Sequence, residues 1–163
     1  MKLSDGVEWA LHCATVLAVI PEGATLPAKS LAELHAVSES YLLKHLKKVV
    51  AAGLFETLPG PRGGYRLARS PEKIRVLDIV LAVEGQQPLF RCTEIRQNGP
   101  AALASSYYRA PCLIHAAMLQ AEHAWRQSLA EVRLSDLVGR LTRTMHPDAR
   151  EKGEKWLLQN VRA

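Results

Sequence analysis

Residues 31–67 read LAELHAVSESYLLKHLKKVVAAGLFETLPGPRGGYRL, and three local patterns follow one another along them. Leu31, Leu34 and Val37 share one face of a short helix. Ser38 offers an N-cap hydroxyl for a second helix over 39–52, which Gly53 closes. On that second helix Leu42, Leu46, Val49 and Val50 mark an inward face, and Tyr41, Lys44, His45, Lys47 and Lys48 fall around the rest. Two short β segments, 54–58 and 65–67, flank a turn rich in glycine and proline. A hairpin directly after a helix-turn-helix is the pattern of a winged helix. The expected fold is therefore mainly α with a small β wing.

That arrangement points to double-stranded DNA. A helix with a cationic outer face fits the major groove, and a glycine-rich wing can approach the phosphate backbone closely. The start of the second helix supplies Ser38, Ser40, Tyr41 and Lys44 as candidate DNA contacts, and Lys47 and Lys48 are placed to meet phosphate. In the wing the candidates are Arg62, Gly63, Gly64 and Tyr65, with the guanidinium at the tip and the two glycines admitting backbone conformations that strain other residues. The competing reading is that Lys44, Lys47 and Lys48 only solvate a helix face.

Composition agrees. The 163 residues are 48% hydrophobic, enough for one core with a helical extension, and the net charge of +5 suits a polyanionic partner. No run reaches the roughly 18 apolar residues that span a bilayer, so no membrane partner is expected. Acid at Asp5 ahead of an amphipathic helix argues against a secretory signal. Three cysteines without such a signal indicate a reducing compartment, and the expected location is cytoplasmic. Enzyme chemistry finds no support: there is no glycine-rich phosphate loop and no recognisable Ser/His/Asp order. Glu122 and His123 lack the His-Glu-x-x-His spacing of a zinc protease.

The rest of the chain divides simply. A first helix is expected over 5–20, another over 76–84, and the winged unit as a whole over 1–85. Residues 86–111 lose periodicity, and irregular stretches of that length in small domains are usually functional or mobile. A long helix over 112–130 and a shorter one over 135–145 follow. The tail, 146–163, is charged, with a last helical turn around Trp156, Leu157 and Leu158. On the long helix Ile114, Met118, Ala121, Trp125 and Leu129 form one apolar stripe close to heptad spacing. Packing of that stripe on a second copy would make 112–145 a dimerisation segment; folding back on its own domain is the alternative. A two-fold dimer would grip two half-sites about one helical turn apart.

Cys92 and Cys112 bracket the irregular segment, and Cys112 sits where a helix N-terminus favours thiolate. Two cysteines do not complete a four-ligand metal site. Glu8 and His12, four apart on the first helix, point to the same side and are available as ligands. Cys13 lies about 100° further round and turns inward. His115, three residues after Cys112, competes with His12.

At these residues the chain resembles the winged-helix iron–sulfur regulators that include IscR and NsrR, over roughly residues 1–130. The resemblance is carried by MKLS at 1–4, AEL at 32–34, SESYL at 38–42, AGL at 52–54, GPRGGYRLA at 60–68 and DIVLAVEG at 78–85. Three closely spaced cysteines are usual in the cluster loop of such proteins, and this chain has only Cys92 and Cys112 there. It is more similar to the RsrR-like redox-sensing branch, through EWALH at 8–12 and CTEIRQ at 92–97. The resemblance implies a [2Fe–2S] cluster in the 86–111 loop, ligated by Glu8, His12, Cys92 and Cys112. It also implies a homodimer in which the first helix of one subunit can approach the loop of the other.

Such a ligand set is chemically sensible, because imidazole and carboxylate in place of two thiolates make a cluster less negative and raise its potential. The expected function is a redox-sensing, DNA-binding transcription regulator. The alternatives are a regulator switched by a Cys92–Cys112 disulfide or by a small ligand, and a cluster protein with no DNA role.

Overall fold

The computed structural model describes residues 3–60 and 63–163. Among them the chain forms helices α1 (Asp5–Leu17), α2 (Ala28–Leu34) and α3 (Glu39–Ala51), then strands β1 (Phe55–Leu58) and β2 (Gly64–Leu67). Helices α4 (Val76–Glu84), α5 (Leu113–Glu131), α6 (Leu134–Thr144) and α7 (Pro147–Asn160) follow. The strands pair antiparallel, from Phe55 opposite Leu67 to Leu58 opposite Gly64. The fold is the expected one, mainly helical with a two-stranded wing.

Helix α1 is the central element. Asp5 and Glu8 in its first turn complement the helix dipole. Its inner face, Val7, Ala10, Cys13, Ala14 and Leu17, is buried, and the helix packs on α3, α4, α6 and β2. It stops three residues short of the expected end, in a turn that leads to Pro21. Helix α2 begins directly after Pro27 and ends at Leu34, so Val37 is not on its face. The chain reaches Val37 through Ala36, whose φ of 51° makes the sharp turn into α3. Ser38 occupies the N-cap position of α3, but its hydroxyl makes no capping bond. It lies 3.0 Å from the Ser40 hydroxyl instead.

Helices α4 and α6 start side by side. Val76 donates to Val132 at 2.9 Å and Leu134 to Ile74 at 2.8 Å, and Ile74 and Leu134 are completely buried beneath this short ladder. Asp78 and Asp136 accept the backbone amides of Arg75 and Arg133, which finishes both helix starts with the same hydrogen bond. Everything from 85 to 131 is thus an excursion that leaves and returns at one base. The apolar stripe expected on α5 divides along its length. Trp125 and Leu129, near that base, pack on the chain's own core, whereas Ile114 and Met118 are exposed, together with Leu113 and Leu119.

The tail differs from the sequence reading. In place of a single turn it forms a helix of 14 residues. Pro147 at its first turn and Asp148 near its N-terminus favour the start. Trp156, Leu157 and Val161 then pack against the core.

A close approach sets how α1 meets α3. A Cβ at Gly6 would lie 2.1 Å from His45 Nδ1, and the His45 ring is boxed by Trp9 at 5.8 Å and Tyr41 at 6.0 Å. The ring cannot yield without disturbing both neighbours. Gly6→Ala is therefore expected to lower stability by about 1–3 kcal/mol, the usual cost of overpacking, read as a shift of the urea midpoint. An unchanged midpoint would show that the contact is looser than the geometry implies.

Candidate DNA interface and metal centre

The exposed surface of α3 carries most of the expected DNA contacts. Ser38, Ser40, Tyr41, Lys44 and Lys47 are all exposed. Lys44 Nζ lies 4.7 Å from the centre of the Tyr41 ring, a cation–π contact that holds both side chains on one patch. Lys48 is placed otherwise: its ammonium donates to the Val83 carbonyl at 2.7 Å, near the last turn of α4. That bond places a cation at the negative end of a helix and ties α3 to α4. His45 faces α1. Burial foremost, with help from Lys48 and Lys44, holds its pKa below the ordinary histidine value, so it adds no cation at neutral pH.

The wing residues serve attachment as much as exposure. A Cβ on Gly63 would fall 2.1 Å from the Leu58 carbonyl, and one on Gly64 would fall 2.5 Å from the Leu26 carbonyl. Close backbone packing, rather than an unusual φ, demands glycine at both positions. Tyr65 is buried, and its backbone pairs with Leu26 through bonds of 2.8 and 3.0 Å. It anchors the hairpin and does not face outward. Arg62 lies outside the described residues.

Cys92 and Cys112 come together where the 86–111 loop meets α5. Cys112 is the N-cap residue and is buried. The backbone amide of His115 lowers its pKa most, and the amide of Ile114, the Arg96 guanidinium and the Cys92 thiol act in the same direction against burial. Cys92 behaves oppositely. The Glu94 amide, 3.4 Å from its sulfur, favours thiolate, but burial, the Glu94 carboxylate and the neighbouring Cys112 together raise its pKa. The pair is thus asymmetric, with Cys112 the readier thiolate. Cys13 takes no part: burial pushes its thiol up to about 12.

The surroundings of the pair are organised. Arg96 is clamped by Glu94 at 2.6 Å and lies over the Tyr108 ring, whose hydroxyl donates to the Arg96 carbonyl at 2.8 Å. Glu122 of α5 is buried and accepts from the Leu89 amide at 2.9 Å, while Arg126 pairs with Glu122 at 2.7 Å and reaches the Gln87 carbonyl. The loop is thereby fastened to α5. Sequence reasoning considered Glu122 only as half of an absent protease motif. The single available signal was its spacing of four from Arg126, which marks a helix-surface pair and says nothing of the loop.

Glu8 and His12 are exposed one turn apart on α1, along a shallow cleft with Leu3, Asp5, Val7 and Leu11. His12 also stacks obliquely on His35, 5.4 Å away. Among the described residues, no three His, Cys, Asp or Glu side chains come together as a metal site within one chain. The histidine beside the two thiols is His115, which is half-buried against Phe90 with Nδ1 lacking a partner. The donor set therefore falls into two parts, a thiol pair on the loop and an imidazole–carboxylate pair on α1. Either part alone is too small for an iron–sulfur centre, whereas together they would supply four ligands.

No helix among the described residues is long and apolar enough to cross a membrane. The chain is 33% identical to YffB of Lactococcus lactis, described as an HTH-type transcriptional regulator, over 84% of this chain and 86% of that protein. The structure is similar to that of an IscR from T. potens, with a TM-score of 0.69 and 22% identity, covering 93% of this chain and 96% of the other. It is also similar to the oxidized form of Staphylococcus aureus CymR, with a TM-score of 0.62 and 25% identity over 85% and 96%. The model of the Rrf2 family, iron-dependent transcriptional regulators, matches residues 3–140. The chain belongs to the Rrf2 family and is a DNA-binding transcription regulator.

Proposed function

We propose that the chain acts as a homodimeric redox sensor whose DNA affinity is set by a [2Fe–2S] cluster. The ligands would be Cys92 and Cys112 of one subunit with Glu8 and His12 of the partner subunit. The observation that carries this reading is the division of the donors. Two thiols meet at the start of α5, and Glu8 and His12 stand exposed together on α1. Exposed Ile114 and Met118, one turn apart on α5, give it an apolar face for the second copy. When bound, the cluster supplies a one-electron redox couple.

The protein's own groups would do the rest. The α5 amides and Arg96 stabilise thiolate at Cys112, and Glu94 and Tyr108 keep Arg96 in place. Helix α1 turns Glu8 and His12 outward while its other face packs on α3 through Gly6 and Trp9. A change in how α1 is held would reach Tyr41 and Lys44 through that packing. DNA affinity would respond only as far as the two redox states favour different positions of α1. The expected target is a two-fold DNA operator, with the cell interior as the site of action.

A second reading is favoured by the thiols themselves. Cys92 and Cys112 lie near enough for each to shift the other's pKa, and the likeness to an oxidized CymR fits a regulator that responds to oxidation. Here loss of two electrons and two protons to an oxidant would join the sulfurs as a disulfide, with no cluster.

Anaerobic purification followed by visible absorption separates the two. The proposal expects a coloured protein with iron and sulfide in equal amounts, bleached reversibly by dithionite. His12→Ala should abolish the colour and His115→Ala should leave it. The opposite pattern would move the ligand to His115, and a protein still colourless after iron and sulfide are supplied would leave the disulfide.

On the DNA side, Lys44→Ala is expected to weaken binding to a duplex selected from a random library by about tenfold. Fluorescence anisotropy across a salt series reads this directly, and unchanged affinity at every salt concentration would remove Lys44 from the interface.

A further inference from the structure

After α7 the chain runs back to the wing. Arg162 pairs with Thr25 through two backbone bonds, Thr25 N–H to the Arg162 carbonyl at 2.8 Å and Arg162 N–H to the Thr25 carbonyl at 2.9 Å. The next residue, Leu26, pairs in the same way with Tyr65 of β2. The hairpin is thus continued sideways, first by residues 25 and 26 and then by Arg162. The arginine side chain reaches further still, and its Nη1 donates to the Gly63 carbonyl at 3.1 Å. Gly63 is the residue whose amide closes the wing turn on the Gly60 carbonyl, at 2.9 Å. Arg162 itself lies beyond the family match, which ends at residue 140, whereas Thr25, Gly63 and Tyr65 lie within it.

We infer that Arg162 is a positioning residue for DNA binding: a guanidinium strap that holds the turn of the wing at Gly63. The inference rests on the DNA-binding role of the chain. A hairpin of two four-residue strands is marginal by itself, and a wing left free to move must be ordered when DNA binds, which costs affinity. A charge-assisted bond to Gly63 removes part of that cost in advance. The strap has an anchor outside the wing. Trp156, Leu157 and Val161 fix α7 and its end on the core, and the Thr25 ladder fixes the backbone of Arg162. The guanidinium is half-buried and engaged with the wing's own carbonyl, so it acts through the wing and not as a phosphate contact.

Two measurements on the intact chain and on its Arg162→Ala and Arg162→Lys variants test this. Amide hydrogen exchange over residues 63–67 reads the strap without DNA. It should quicken about tenfold in Arg162→Ala, return toward the parent rate in Arg162→Lys, and leave α1 and α3 unchanged. Anisotropy with a duplex selected from a random library by the intact chain should show affinity about five- to tenfold weaker for Arg162→Ala and largely restored by lysine. In an Arg62→Ala background the further loss should be small, since both residues would act through one wing.

Unchanged exchange would overturn the strap. Faster exchange with unchanged affinity would overturn the positioning role, and so would a fully additive loss in the double variant, which marks an independent phosphate contact. If the intact chain retains no duplex at all, the DNA-binding reading itself fails, and the parent alone shows that before any variant is compared.

Discussion

The fold turns on the approach of α1 to α3 at a position with no side chain. Gly6 lets the His45 ring sit against the α1 backbone, and Trp9 and Tyr41 close around that ring edge-on and obliquely. The Glu84 carboxylate fixes the start of α1 from the other side, accepting from the Ser4 amide at 2.9 Å and from its hydroxyl at 2.5 Å. Lys48 meanwhile binds α3 to α4. Three helices are thereby locked at one corner. That corner lies between the exposed Glu8–His12 face and the exposed Tyr41–Lys44 patch. Close-packed contacts of this kind transmit displacement because they have no slack to absorb it.

A second constraint governs the candidate metal centre. The ladder between 74–76 and 132–134 makes the loop and α5 a single excursion from one base, and Glu122 and Arg126 fasten the loop along the helix. Cys92 belongs to the loop and Cys112 to the helix, so their proximity follows from that fastening. The α5 amides then differentiate the two sulfurs. The base of α5 is occupied by its own core, through Trp125 and Leu129, and only the half near Cys112 leaves apolar surface for another copy. A partner placed there is close to the thiols.

Much of this was legible in the chain. The helix-turn-helix and hairpin came from short-range signals: a 3.6-residue period, a closing glycine and a turn rich in glycine and proline, each contained within a few residues. The thiolate preference of Cys112 followed from its place before a helix. What stayed hidden depends on distant partners. Helix α7 has few apolar positions among many charges, and it becomes a helix through Trp156 and Leu157 on the core. Lys48 carries the same signature whether it faces a phosphate or the Val83 carbonyl. Glu122 bonds an amide 33 residues away in a segment without periodicity, which no local pattern can announce. Ser38 has the right residue type for a cap, and its hydroxyl turned to Ser40 instead.

The central claim is that the metal centre is completed only across two chains, which makes its state a property of the dimer that holds the two DNA-reading helices. Mixed dimers test it most directly. One subunit carries Glu8→Ala with His12→Ala, its partner carries Cys92→Ala with Cys112→Ala, and iron and visible absorption are measured after reconstitution. A site shared between subunits predicts about one cluster per mixed dimer, because one of the two sites then has all four ligands, while either variant alone holds none. A mixed dimer as colourless as its parents would contradict the account and place the ligands within a single chain.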